Sequence, residues 1–465
     1  LEEAVQRAIE KLAETLGTGR AAIEQALQQS RQSIRRELLL DVQTTDDAAH
    51  QLAFFGGMDA LSVLNELPAA VDRASPAELR RVLHAWLGAS QRTIGWFVPQ
   101  GRVAESDEQT AQPIEAVAAP IVAAEVATPG ANAVAVASPG PAPAAAVNRL
   151  RNGTPVILQR SPLSPSLLLK VVVPGEVSLA AADSRPNEPV HGVTSLDFQM
   201  LPGAFESTVA RLHLQLAAHT AEDQQPRAAV NDPEERLAEH FQDVLGLGHA
   251  ALASERLLPL FFVVSGDIDP QRVQAVLDKS FGQLPLGGTV ARPTLNDTTR
   301  LELESNLDLP VAQEQLGYVV RAPGPGEPGA AAWWMTLYIL SHGYEGRLGK
   351  EAINRRGLVY YIDSAYRSDG VNGWVTLSIG VDPAKLPAMR DLLRDELQQL
   401  QSNPPTQEEI DEARRHLLGR QISAAQSNQE LADRLAREWL WYGELLSLDA
   451  WQSRLSGIDR EDVLE

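Results

Sequence analysis

Nine histidines and no cysteine set the metal and nucleophile chemistry open to this chain. Without thiols it can build no disulfide, no thiolate–zinc site and no cysteine nucleophile. The histidines do not converge in sequence. His213 and His219 fall on different sides of a helix, too far apart in angle to share a ligand. A Gly-Leu-Gly break separates His240 from His249, and His342 precedes a glycine at an expected helix end, where the C-terminal dipole favours a cation. Each reads as structural or exposed. Serine catalysis has no foothold: there is no Gly-x-Ser-x-Gly elbow, and Val264-Ser265-Gly266 closes a strand. The loop from Ala322 to Gly329 is rich in glycine and proline but lacks Gly-Lys-Thr, so it reads as turn punctuation and not as a phosphate cradle.

The elements that must position any site alternate helix and strand. Leu1, Val5, Ile9 and Leu12 recur at helical spacing, and a second helix is expected over 22–40. Thr45-Asp-Asp opens a third, which Gly56-Gly57 breaks. Ser75, Pro76 and Glu78 form a helix-start signal with a capping box, and Thr93 to Val98 reads as a strand. From 103 to 148 alanine, valine, proline and glycine dominate without a period, which predicts an inter-domain linker. A lipoyl-type swinging arm is disfavoured there, since the stretch has no lysine and no carrier domain follows.

Beyond the linker, Asn152-Gly153 is a turn pair between strand-like segments, and Leu167 to Val173 reads as a buried strand. Helices are expected from Pro202, from Asp232-Pro233 and from Asp269-Pro270, with a buried strand at Phe261 to Ser265. The last third predicts strands at Gln315 to Val320, Gly357 to Ile362 and Gly373 to Gly380. It predicts helices over Ala331 to Ser341 and Pro383 to Leu400, a long one from Thr406, and a last one from Asp459.

Composition bounds the function. The 465 residues suit two to four domains, and 44% hydrophobic residues can fill several cores. A net charge of −21 argues against a general nucleic-acid binder and against adhesion to an anionic membrane. No apolar run is long enough to span a bilayer; the longest, Val117 to Val147, is interrupted by prolines and glycines. The start at Leu1 and the stop inside a helical-looking segment suggest a piece of a longer protein.

An internal repeat organises the rest. Gln43, Ala49, Leu52 and Ala53 are spaced as Gln426, Ala432, Leu435 and Ala436, with Val82-Leu83 opposite Val463-Leu464 and the helix of 22–31 opposite Glu409 to Arg415. Residues 1–83 thus read as the tail of a domain whose fuller copy is 291–465.

Several segments, in order and in register, resemble the M16 (insulinase/pitrilysin-like, inverzincin) metallopeptidases. They are Asn152-Gly-Thr-Pro-Val-Ile-Leu, Leu260 to Pro270 followed by Phe281-Gly-Gln-Leu-Pro, Gly346-Arg-Leu with Arg355 to Tyr361, Pro405 to Arg414, and Arg92 to Pro99. The resemblance implies an α+β fold of repeated M16-type (LuxS/MPP-like) α/β domains, antiparallel-rich sheets with helices packed on one face. Residues 1–102 would be the C-terminal part of a second domain and 103–148 the Ala/Pro-rich linker. Residues 149–290 would be the third domain, without a zinc motif, and 291–465 the fourth, truncated at its end.

The same resemblance implies a clamshell that closes on peptide or unfolded protein. Its zinc would be held by a His-x-x-Glu-His helix, with the glutamate as general base. That helix would lie before Leu1, so this chain would bind no zinc itself. Arg236-Leu-Ala-Glu-His240 approaches the motif, but a guanidinium replaces the first ligand, and the resemblance would place the third domain's helix before His191, where this chain is shortened. In closed family members an Arg–Tyr pair faces the zinc and supports the oxyanion. Here Tyr360 matches the tyrosine, and Ile353 stands at the arginine, leaving Arg355 or Arg356 to compensate. Arg347 reads as structural. Expected partners are the missing N-terminal half or a catalytic M16 subunit, and the expected location is periplasmic or secreted. The alternatives are a non-catalytic scaffold or partner subunit of a separate protease, and an unrelated structural α/β binding protein.

Overall fold

Seven residues, Leu-Leu-Leu-Lys-Val-Val-Val, set the organisation of the largest sheet. Successive side chains on a strand point to opposite faces, so an unbroken apolar run needs cover on both. The computed structural model describes residues 2–16, 21–42, 44–88, 145–161, 166–175, 184–187, 190–218, 233–247, 257–287, 295 and 314–463. The expected strand at Thr93 to Val98, most of the expected linker, His219, Asp232 and His249 lie outside these residues.

The chain divides into two units, residues 1–38 with 55–141 and residues 39–54 with 142–465. The first is helical: α1 (Glu2–Leu16) and α2 (Ala21–Leu40), then, after α3 (Thr45–Gly57), α4 (Leu61–Arg73) and α5 (Pro76–Trp86). Its described core is thin, with Ala13 and Leu27 buried. Arg31 donates to the Ala74 carbonyl at 2.6 Å, and Ser75 and Glu78 form the expected capping box.

The second unit starts with a six-stranded sheet. Its strands are β1 (Ala146–Arg149), β2 (Pro155–Arg160), β3 (Leu167–Pro174), β4 (Ser184–Asn187), β5 (Val193–Met200) and β6 (Phe261–Gly266), ordered β1-β2-β6-β3-β5-β4. The sheet begins within the last residues of the expected linker. Only the β2–β6 pairing is parallel. On one face Leu167, Leu169, Val171 and Val173 pack with α6 (Phe205–Ala218) and α8 (Pro270–Phe281), through Val209, Leu212, Val273 and Leu277. Asp269 caps α8 by accepting from the Gln271 amide.

The other face, with Leu168 and Val172, is covered from further along the chain. Leu431, Ala432, Leu435 and Ala436 of α13 (Asn428–Tyr442) seal it together with Ile157, Phe261 and Val263. The sheet's own helices therefore lie on one face, and a helix from the next segment closes the second.

The second sheet is antiparallel, in the order β7-β9-β8: β7 (Glu314–Ala322), β8 (Asp363–Ser368) and β9 (Gly373–Val381). Val375, Leu377, Ile379 and Val381 face a core closed by α9 (Ala330–Ser341) and α11 (Leu386–Ser402). A third core joins α9 to α12 (Gln407–Ser423) and α14 (Leu448–Ser456). The opposite face of this sheet receives α7 (Pro233–Leu245), which leaves the first sheet to reach it. Gly317 on β7 makes this possible, since a Cβ there would lie 2.5 Å from Leu237 Cδ1 and 2.6 Å from Phe241 Cζ.

Two expected elements differ. Gly357 to Ile362 is not a strand: only Val359 forms a bridge, to Val381, and the paired strand follows as β8. Leu358, Val359 and Ile362 still enter the core, so their hydrophobicity reflects a buried loop; Gly357 begins it with a turn at φ +55°. Asp459 starts a turn and not a helix, because its carboxylate accepts from the amides of Glu461 and Asp462.

Candidate functional site: a cavity between the two sheets

The two exchanged helices do not meet edge to edge. Between them lies a cavity of about 1180 Å³. Its floor is the α7-side face of the second sheet, where Trp374, Thr376 and Ser378 alternate with the core residues of β9. Leu237 and Phe241 of α7 form one wall, and residues of α9, α12 and α13 form the other. His191, just before β5, closes the back and meets Trp374 edge-on at 6.1 Å.

The aromatic wall is continuous. Trp334 stacks on Trp441 at 5.9 Å and contacts Trp451 at 5.5 Å. Burial pushes the Tyr366 hydroxyl well above its ordinary range, and its proton is donated to the Pro323 carbonyl at 2.7 Å. Burial likewise raises Tyr442, to about 12. Beside them Tyr338, His342 and His416 form a triangle of rings with centroids 4.4–4.5 Å apart. Burial, and then the His342 ring, hold His416 below the usual imidazole range, so it is neutral at pH 7.

Charge enters from α12 and α13. Arg437 is partly buried, and its guanidinium lies over the Trp441 ring at 5.7 Å. Burial lowers its pKa, which Asp433 partly opposes and Arg420 adds to. Asp433, also on the wall, is committed elsewhere: its carboxylate lies 2.8 Å from Lys170 Nζ. That lysine is fully buried and also donates to both oxygens of Asp197 at 2.6 Å and to Ser195 at 3.2 Å. At the start of α13, Asn428 ties the helix to the first sheet through Ser166 at 2.9 Å and Ser265 at 3.1 Å.

The residues singled out from sequence lie elsewhere. Tyr360 is 81% exposed and forms no hydrogen bond among the described residues, and the neighbouring Tyr361, not Tyr360, lines the cavity. Arg355 and Arg356 end a π-helical turn (Lys350–Arg355), and both pair with Glu351. Ile353 packs into the second-sheet core. The structure therefore brings the two arginines together on one carboxylate and records no contact of either with Tyr360. Arg347 is structural, as expected: it forms a two-point pair with Glu409 at 2.8 and 2.7 Å and donates to the Asn403 carbonyl. This pair holds the Glu409 carboxyl at about 2.

The broken motif is also engaged. Arg236 occupies the first-ligand position and pairs with Glu239 at 2.9 Å, the residue that would otherwise serve as base. His213 packs against Phe281 at 5.3 Å. Among the described residues no group of three or more His, Asp or Glu side chains could hold a metal ion. The donor set here does not fit zinc: a cation stands in one ligand position, and the His342–His416 pair is packed ring to ring. Sequence reasoning missed Arg437, Arg420 and His416. The available signal was a pair of i,i+4 couples, His416/Arg420 and Arg437/Trp441, on successive helices.

Residues 260–417 match the family model described as the peptidase M16 inactive domain. An uncharacterized zinc protease of Streptomyces coelicolor is 26% identical over 216 residues, 44% of this chain and 46% of that protein. The chain thus spans about half the length of the curated relative it matches. A peptidase M16 inactive domain from Pseudomonas fluorescens aligns with a TM-score of 0.51 at 16% identity, over 69% of this chain and 93% of that one. A protease from Helicobacter pylori aligns with a TM-score of 0.56 at 15% identity, over 70% and 95%. At these identities the structural likeness is one of fold. The sequence match and the shared fold agree: residues 260–417 match the peptidase M16 inactive domain, and the chain shares the fold of such domains.

Proposed function

We propose that this chain forms the non-zinc wall of an M16-type zinc metalloendopeptidase. It acts with a zinc-bearing half, whether joined in one polypeptide or supplied as a separate catalytic subunit. The observation that carries this reading is the inactive-domain match over 260–417, in a chain whose motif-like segment Arg236 to His240 has a guanidinium, paired with Glu239, in place of a ligand. Zinc is then bound outside these residues, and the substrate is peptide or unfolded protein enclosed between the halves. The segments 1–102, 103–148, 149–290 and 291–465 serve as the end of a second domain, a linker, a third and a fourth domain. Recurrent caps support the repeat. In the register that sets Gln43 on Gln426, Thr44 falls on Ser427 and Asp47 on Glu430. Thr44 accepts from the Asp47 amide at 3.0 Å as Ser427 does from Glu430 at 3.1 Å. A periplasmic or secreted location suits this class, and no helix among the described residues is long and apolar enough to cross a membrane.

In this reading the free, exposed Tyr360 hydroxyl supports bound peptide, while Arg355 and Arg356 reach substrate only by leaving Glu351. Ile353, half-buried against the second-sheet core where the family carries arginine, favours a second reading as a scaffold subunit without transition-state contacts. One assay separates them. The chain is added to a zinc-bearing M16 half and hydrolysis of a fluorogenic peptide is followed, with Tyr360→Phe in parallel. The peptidase reading expects no hydrolysis by this chain alone, at least a tenfold gain on mixing, and a severalfold lower kcat with unchanged folding in the variant. Stoichiometric zinc with activity in this chain alone overturns the placement of the site. A gain that Tyr360→Phe leaves intact assigns the chain to scaffolding.

A further inference from the structure

Helix α3 has the face of a helix that covers a sheet, and that face is exposed. In the register that sets Gln43 on Gln426, Ala48, Ala49, Leu52 and Ala53 of α3 fall on Leu431, Ala432, Leu435 and Ala436 of α13. On α13 these four close the second face of the first sheet, and Leu435 is 1% exposed. On α3 no described residue is buried, and Leu52 is 56% exposed. A helix of 13 residues with no buried face is marginal in water. The two helix starts are also in contact. Thr45 stands at the place of Asn428, and its amide and hydroxyl donate to Gln426 Oε1 at 3.0 and 2.9 Å. The start of α3 is thus continuous with the end of α13 that Asn428 ties to the first sheet.

The charges beside this face indicate which sheet it takes. On α13, Gln429 and Asp433 stand one turn apart and meet the Lys170–Asp197 pair. Gln429 donates to Asp197 at 2.6 Å, and Asp433 lies 2.8 Å from Lys170 Nζ. The register puts Asp46 and His50 at those places, both exposed. Laid on the first sheet of a second copy, Asp46 would bring a carboxylate to Asp197, and His50 would replace the acid that shares Lys170. That sheet is also already covered by its own α13. The face therefore calls for a similar sheet without that lysine–aspartate pair. The match to the Streptomyces coelicolor relative covers 46% of that protein, so more than half of its length lies outside, enough for a sheet-bearing domain.

We propose, on the basis of the peptidase reading and its repeat, that the Ala49, Leu52 and Ala53 face of α3 docks a β-sheet of the zinc-bearing half. It covers that sheet as α13 covers the first sheet of this chain.

The chain has no cysteine, so Leu52→Cys supplies a single thiol for labelling with a maleimide. Leu214→Cys, on α6 at a position 68% exposed, is the control. Association with the zinc-bearing half used in the peptidase assay is read by analytical ultracentrifugation, and labelling is followed in the chain alone and in the mixture. Labelling of Leu52→Cys at least tenfold slower in the mixture is expected, with Leu214→Cys unchanged and association of Leu52→Arg at least tenfold weaker. Circular dichroism confirms folding of the variants. Association that leaves Leu52→Cys labelling at its free rate, or that a folded Leu52→Arg does not weaken, overturns the proposal and leaves the peptidase reading standing. Protection of Leu52→Cys that grows with the concentration of the chain alone assigns the face to a second copy and overturns it as well. Absence of association overturns the proposal together with the reading on which it rests.

Discussion

Replacing Lys170 by methionine tests how the two sheets are joined. The side chain is 0% exposed at the centre of β3, and its ammonium lies 2.6 Å from each oxygen of Asp197 and 2.8 Å from Asp433 on α13. Gln429 adds a hydrogen bond to Asp197 at 2.6 Å. Methionine keeps the length and apolar stem, so little cavity forms. The loss is electrostatic: Asp197, 5% exposed, is left buried without its counter-ion and beside a second carboxylate. Breaking a buried pair from one side costs about 3–5 kcal/mol, whereas removing both members together is often near neutral. With an m-value of about 3 kcal/mol/M, the urea midpoint of the sheet-bearing unit should fall by about 1 M or more in Lys170→Met. In Lys170→Met/Asp197→Leu most of that loss should return, because Asp433, 29% exposed, can reach solvent on the cavity side. Circular dichroism during urea unfolding reads both. A single variant that loses less than about 1 kcal/mol, or a double variant that loses as much as the single, would refute the claim that one shared charge network joins β3, β5 and α13.

Gly317→Val should destabilise the chain by about 1–3 kcal/mol in the same assay, since its side chain must displace Leu237 and Phe241 of α7; Gly326→Ala, where a Cβ meets nothing, is the neutral control. Glu409 is held at about 2 against an ordinary value near 4.5. Its folded pKa is depressed, so the stabilisation is fully present above about 4.5 and is lost as pH falls toward 2. The full shift corresponds to about 3 kcal/mol and partial exposure reduces it to about 1–2 kcal/mol. Arg347→Ala should therefore lower the thermal midpoint at pH 7 and show a shallower acid dependence between pH 5 and 2.

The sequence reported local rules well and pairings across distance poorly. Ser75, Thr406 and Asp269 are capped as read, because a cap depends on residues within one turn. Leu167 to Val173 read correctly as a buried strand, yet nothing local shows that the lysine inside it meets partners at 195, 197 and 433. Gly357 to Ile362 misled because burial and strand pairing give the same apolar run; only register against β9 distinguishes them. The cavity was invisible for a related reason. Its arginines lie on two helices and its floor on a third element, so no window of sequence holds both. The family segments, by contrast, placed Arg347 and Thr406 to Arg414 correctly, and the Arg347–Glu409 pair joins two of those segments directly.

The reciprocal helix exchange explains why a cavity exists at all. Each sheet has one face closed by its own helices and one closed by a helix from the other segment, α13 on the first and α7 on the second. A single helix covers two or three strands. On the first sheet α13 lies over β6 and β3; on the second α7 lies over β7 and β9. The turn before β5 thus meets the end of β8 directly, the His191 amide donating to the Ser368 carbonyl at 3.0 Å, with no described helix between them. Between β3 and β5 the described residues hold only the short strand β4, where the family resemblance calls for a helix. The polar residues follow this pattern. Thr376 and Ser378 stand on the β9 face beyond Trp374, which packs with Leu245 and Leu247, and Arg437 stands on the α13 face that turns away from the first sheet. If the space were a packing defect, its walls should be apolar and collapse should be favourable. Stacked tryptophans, the Arg437 guanidinium over Trp441, and Asp433 and Glu430 on the same wall instead form a mixed aromatic and charged lining.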